Sequence, residues 1–185
     1  QPVPSPENTI YLDLEYGRVV IEMRPDLAPQ HVQRIKELVR QGFYDGLKFH
    51  RVIDGFMAQT GCPKGDGTGG TGQKIPAEFS YAPFVRGTVG MARSSSPNSG
   101  DSQFFICFDS ASHLNTQYTV WGKVVEGMEY VDMIQIGARN MHNFINLLNT
   151  EVHLELAVQE ELLQAFQSDM DLLSMEVREK LDRLI

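Results

Sequence analysis

The sequence predicts a mainly β domain followed by a helical tail, and three observations predict it. Short segments with the composition or alternation of strands recur between Thr9 and Val125, as half-buried β-structure requires. Up to Gly137 only two stretches, 27–41 and 126–136, repeat apolar residues at helical spacing. All sixteen glycines and all nine prolines lie at or before Gly137, so turn punctuation stops there. Many short strands with two helices argue for a barrel or a sandwich.

Taken in order, QPVPSPEN at the start reads as a flexible Pro-rich lead segment, residues 1–8. A removed signal peptide would account for it and would make the protein periplasmic or secreted; otherwise it is cytoplasmic. Thr9 to Tyr16 and Arg18 to Met23 alternate about Gly17 and predict a hairpin. Leu27 to Gln41 predicts a helix with Val32, Ile35, Leu38 and Val39 on one face, Asp26 as cap, Pro29 in the first turn and Gly42 as stop. Asp54-Gly55 is a turn pair between two short strands. Gly87–Ala92, Gln103–Phe108 and Tyr118–Val125 read as further strands, and Glu126–Ile136 as a second helix stopped by Gly137. Val152, Leu154, Leu156 and Val158 alternate with polar or small neighbours and could add a last strand. A reading with 141–185 helical throughout would leave that strand out. From Leu162 to Leu184, apolar residues recur at steps of three and four along an amphipathic helix. That stripe must bury against the barrel or against a second copy of the chain.

Composition excludes several functions. At 185 residues the chain is one domain by length, with an appendage. Its net charge of −8 opposes general nucleic-acid binding. The charge is uneven: nine acidic and three basic residues from Asn140 onward carry −6 of it. No run approaches the roughly 18 apolar residues of a membrane span. Cys62 and Cys107 are too few for a disulfide framework, lack CxxC or ligand spacing, and read as half-buried thiols. His31, His142 and His153 share no ligand spacing, so no metal site is expected. Gly65 to Gly70 satisfies GxGxxG, but no helix pattern follows it, which removes the dinucleotide reading. Gly100-Asp101-Ser102 resembles a nucleophile turn without its closing glycine, which weakens a hydrolase reading.

Three segments carry the chemistry. FHRVIDGFMAQ (49–59) sets Arg51 and Gln59 among apolar residues; MARSSSPNSGDSQFFICF (91–108) and HLNTQYTVWGKVVEG (113–127) follow it. Their residues and spacing resemble the cyclophilin family of peptidyl-prolyl cis/trans isomerases, in its bacterial form, over about Thr9 to Asn140. The resemblance implies an eight-stranded antiparallel barrel with a helix closing each end, here spanning 9–158, with 159–185 as a helical extension. It implies no cofactor and no metal. Arg51 would be the catalytic arginine, and Gln59 would orient it and the substrate carbonyl. Phe56, Met57, Phe105 and Leu114 would wall the proline pocket, Ala92 and Arg93 would pair with the backbone before the proline, and Gln103 would line the neighbouring subsite. His113 stands where the eukaryotic pattern has tryptophan and Tyr118 where it has histidine; both are kept in the site, and the lost indole weakens expected cyclosporin affinity. Expected partners are proline-containing peptides and unfolded proteins, not nucleic acid or membrane, with a homo-oligomer through the tail left open.

The residue types suit that chemistry. Rotation about an X-Pro bond crosses a barrier of roughly 18–20 kcal/mol because amide resonance is lost. A catalyst needs no nucleophile, only a donor for the prolyl nitrogen as its lone pair localises, and a planar guanidinium offers one. Outside its motif, Arg51 would read as a surface ion-pair partner and Met57 and Phe105 as core. Phe49 and Phe104 are expected in the core, and His50 as a satisfied structural histidine. A docking module with incidental turnover and a self-association module are the rival functions.

Overall fold

The computed structural model describes residues 5–139 and 151–182. Strands β1 (Thr9–Leu14) and β2 (Gly17–Met23) form the expected hairpin, in register from Thr9↔Glu22 to Leu14↔Gly17. Helix α1 (Pro29–Arg40) follows, then β3 (Leu47–Lys48), β4 (Arg51–Ile53), β5 (Met57–Thr60), β6 (Thr88–Met91), β7 (Phe104–Cys107) and β8 (Val120–Glu126). Helix α2 (Met128–Arg139), strand β9 (Glu151–Leu156) and helix α3 (Ala157–Asp182) complete the chain.

The sheet order is β3-β9-β1-β2-β8-β6-β7-β5-β4, and every pairing is antiparallel. Its two ends, β3 and β4, are separated in the chain only by Phe49 and His50. They are halves of one bent strand, the first paired with β9 and the second with β5, so the sheet closes into an eight-stranded barrel. Closure removes exposed strand edges, which are prone to pair with other chains.

Alternation sorts the side chains. On β7, Phe104 and Ile106 point into the main core with Trp121, Val89 and Ile21, while Phe105 and Cys107 join a smaller cluster with Met57, Phe84 and Leu114. Phe49 and Phe104 are buried as expected.

Helix α1 lays Val32, Ile35, Leu38 and Val39 on the core. Gly42 ends it at φ +64, with Phe43 N–H donating to Leu38 O and Gly42 N–H to Val39 O, a Schellman closure. Its cap differs from expectation. Asp26 lies too far upstream and instead pairs with Arg24 at 2.8 and 2.6 Å. Glu78, from a distant loop, accepts from the Gln30 and His31 N–H groups at 3.1 and 3.0 Å. Helix α2 also departs, beginning at Met128 and continuing through Gly137 to Arg139. A helical glycine costs only about 1 kcal/mol, and complete burial of Val131 and Ile134 offsets it.

Strand β9 forms and pairs with β1 and β3, so the tail is not helical throughout. The stretch 141–149, between α2 and β9, lies outside the described residues. Helix α3 starts directly after β9, two residues earlier than expected. Ala157 is buried, Val158 packs on the core and Glu160 meets Arg18 at 2.8 Å. Both cysteines are fully buried rather than half-buried. Among the described residues no helix is long and apolar enough to cross a membrane.

Candidate active site

Register builds the site. Arg51 on β4 lies opposite Gln59 on β5, Gln59 opposite Phe105 on β7, and Phe105 opposite Gly90 on β6. One row across four strands therefore carries a cation, an amide, a ring and a gap. The β4–β5 turn that sets this register has Gly55 at φ +68 and Phe56 N–H donating to Ile53 O, and a left-handed residue there favours glycine. The gap is required: a Cβ on Gly90 would lie 2.6 Å from both Phe105 Cζ and Phe84 Cε1.

A cavity of about 270 Å³ opens over this row. Met57, Phe105 and Leu114 form its buried floor; Phe56 and Tyr118 are half-buried walls, and His113 is exposed at the rim. Phe56 and His113 rings lie 5.1 Å apart, and Phe105 meets Tyr118 edge-on at 6.0 Å. Arg51, Gln59, Ala92 and Arg93 complete its lining. Ten of the eleven sequence-derived residues thus line one cavity, and the eleventh, Gln103, lines an adjoining cavity of about 630 Å³ together with Gln59, Lys64 and Lys74.

Two of these residues differ from the expected arrangement. Ala92 and Arg93 lie just beyond the end of β6, and the Ala92 N–H is already given to Gln103 O at 2.9 Å. The Arg93 guanidinium stacks 4.3 Å over Tyr118 and donates to Gln117 O, so its side chain braces the wall. His50 is not a satisfied structural histidine. Neither ring nitrogen has a hydrogen-bond partner in good geometry, although Lys48 and Gln103 lie nearby, and burial pushes its pKa down.

A hydrogen-bonded chain orients the arginine. Gln103 Nε2 donates to Gly67 O and Gly69 O at 2.9 and 2.8 Å, which fixes its Oε1 as an acceptor. Gln59 Nε2 donates to that oxygen at 2.9 Å, leaving Gln59 Oε1 to receive Arg51 Nη1 at 3.4 Å. Behind it, Gly67 N–H and Gly69 N–H donate to Cys62 Sγ at 3.2 and 3.3 Å. Burial alone would raise the Cys62 pKa, but backbone N–H groups led by Gly69 hold it below the usual range. Asp101 anchors the far end of the loop, accepting from Thr71 N–H and Oγ1 and from Gly72 N–H. These bonds, against the opposing effect of burial, hold its carboxyl below the usual range.

The glycine-rich loop, which has no apolar anchor, is therefore held by polar side chains. Sequence reasoning missed Cys62 and Asp101 in this role, because apart from the Thr71 hydroxyl their donors in the loop are backbone N–H groups, which any sequence supplies. Among the described residues no three His, Cys, Asp or Glu side chains are grouped as a metal would need.

An eight-stranded closed barrel with an arginine beside an apolar niche defines the class, and comparison with known proteins gives the same one. Residues 9–152 match the family model for cyclophilin type peptidyl-prolyl cis-trans isomerase/CLD. A probable peptidyl-prolyl cis-trans isomerase of Brucella suis is 59% identical over 146 residues, 72% of this chain and 74% of that protein. Peptidyl-prolyl cis-trans isomerase B of Bacillus subtilis is 44% identical over 138 residues, 73% of this chain and 91% of its own. A Cryptosporidium parvum cyclophilin crystallised in the presence of the dipeptide Ala-Pro matches with a TM-score of 0.70 at 26% identity, covering 80% of this chain and 98% of that one. The chain belongs to the cyclophilin family and is a peptidyl-prolyl cis-trans isomerase.

Proposed function

We propose that Arg51 accelerates rotation by donating to the prolyl nitrogen once conjugation breaks, while the apolar cavity grips the ring. The position of Arg51 at the mouth of that cavity, tied to Gln59, carries this reading. Because the donor is worth most when the lone pair is localised, it stabilises the twisted amide over either planar form. Gln59 fixes the guanidinium and receives the substrate carbonyl region; Phe56, Met57, Phe105 and Leu114 hold the ring, with His113 and Tyr118 at its rim. Gln103 serves the residue before the proline. The crystallisation of the Cryptosporidium parvum protein in the presence of the dipeptide Ala-Pro supports proline-containing peptides as substrates. The catalytic unit is 9–158, acting on flexible or unfolded chains and so assisting folding, and 159–185 mediates self-association. With an imidazole in place of an indole at His113, cyclosporin binds weakly.

A protease-coupled assay on an Ala-Pro-Phe peptide tests the arginine. Arg51→Ala should lower kcat/KM at least tenfold, about 1.4 kcal/mol of transition-state preference. Unchanged turnover in that variant would refute the assignment. Retained peptide binding by a wild-type chain without turnover would favour the docking module.

A further inference from the structure

Helix α3 leaves the barrel after its first turn and carries large apolar side chains into solvent. Leu162, Leu163, Phe166, Met170 and Met175 are 65, 63, 66, 47 and 57% exposed. Such a face on a helix otherwise rich in carboxylates calls for a partner.

The order of its residues identifies that partner. Leu162, Phe166, Met170, Leu173, Val177 and Leu181 follow one another at steps of 4, 4, 3, 4 and 4, within a sector of about 100° of the helix. This series reads the same from either end. Its midpoint falls between Asp171 and Leu172, and reversing the helix about that point lays the stripe on itself: Phe166 comes level with Val177, and Leu162 with Leu181. The charges favour the same reversal. Glu160, Glu161, Asp169 and Asp171 stand before the midpoint with no Lys or Arg among them, whereas every cation of the tail (Arg178, Lys180 and Arg183) lies after it, among three carboxylates. A parallel partner would set the acidic halves side by side. A reversed one sets each acidic half beside the half that holds the cations.

We propose that α3 pairs with α3 of a second copy, antiparallel, with a two-fold axis crossing near 171 and 172. Each protomer offers the same patch to the other, so the assembly closes at two chains. This inference rests on the reading of the tail as a self-association element and gives that reading its geometry.

The full chain tests both, by steps that fail separately. Light scattering should return twice 20.8 kDa; a monomer overturns self-association altogether, and a larger assembly overturns the closed pair. Oxidation of variants with one added cysteine then reads the orientation, the two native thiols being buried. Phe166→Cys mixed with Val177→Cys should cross-link, and neither variant should cross-link with itself. Self-linking of either at dimeric mass would overturn the antiparallel arrangement while leaving the dimer standing. If Phe166→Cys loses the dimer, Leu162→Cys mixed with Leu181→Cys repeats the mixed pair, and Val177→Cys alone still reports a parallel one.

Discussion

The barrel and the tail handle apolar side chains in opposite ways. Around the cavity, Met57 and Phe105 are 2 and 4% exposed although they line an open site, because the neighbouring strands pack them from behind. On α3 the side chains at 162, 163 and 166 are more than 60% exposed, since among the described residues it is the first turn of the helix that packs against the barrel. The difference shows what a binding surface needs in each case. A niche for a small ring is preformed and rigid, whereas a face proposed to pair with another helix can stay open until that helix arrives.

Crowding the niche should do the most damage. Gly90→Val would press into Phe105 and Phe84. We expect a loss of about 1–3 kcal/mol of stability in urea unfolding and more than tenfold in kcat/KM; normal turnover would mean that the floor is not rigid. Gln103→Leu removes the link between the glycine-rich loop and Gln59 without filling the cavity. A fall of about fivefold in kcat/KM, equivalent to roughly 1 kcal/mol, should accompany altered side-chain amide signals of Gln59 in NMR. Unmoved amides would dissolve the chain of hydrogen bonds as an orienting device.

Acid should act on the loop next. The folded-state pKa of Asp101 is depressed, so its contribution is full above the ordinary carboxylate value near 4 and is lost as pH falls through the lower folded value. Protection factors at Thr71 and Gly72, which remove the intrinsic pH dependence of amide exchange, should fall only in that acidic window, and a fall at neutral pH would contradict it. The smallest effect is expected on the tail: Leu162→Ser with Phe166→Ser should leave turnover of a short peptide within about twofold of wild type. A larger change would mean that α3 communicates with the site.

Much of this was legible in the residues. Period-two alternation separates Phe104 from Phe105, and the spacing of Arg51, Met57 and Gln59 about the Asp54-Gly55 turn already places them on adjacent strands, with Phe56 in the turn between them. What stayed hidden depends on contacts between distant segments. Glu78 caps α1 from about 47 residues away, and nothing in its neighbourhood marks it. Cys62 looks like a small buried residue until Gly67 and Gly69 are seen donating to it. Helix ends were off by a few residues because packing overrode Gly137, and His50 lacks the hydrogen-bond partners its place in the motif led us to expect.

The bent strand that closes the barrel bears on how the enzyme is made. Leu47 and Lys48 pair with residues 151 and 152, so on the ribosome the segment leading into Arg51 stays half unzipped until nearly the whole catalytic unit has been translated. A nascent chain halted at residue 139 should show no rotamase activity, and activity would switch on only after β9 has emerged.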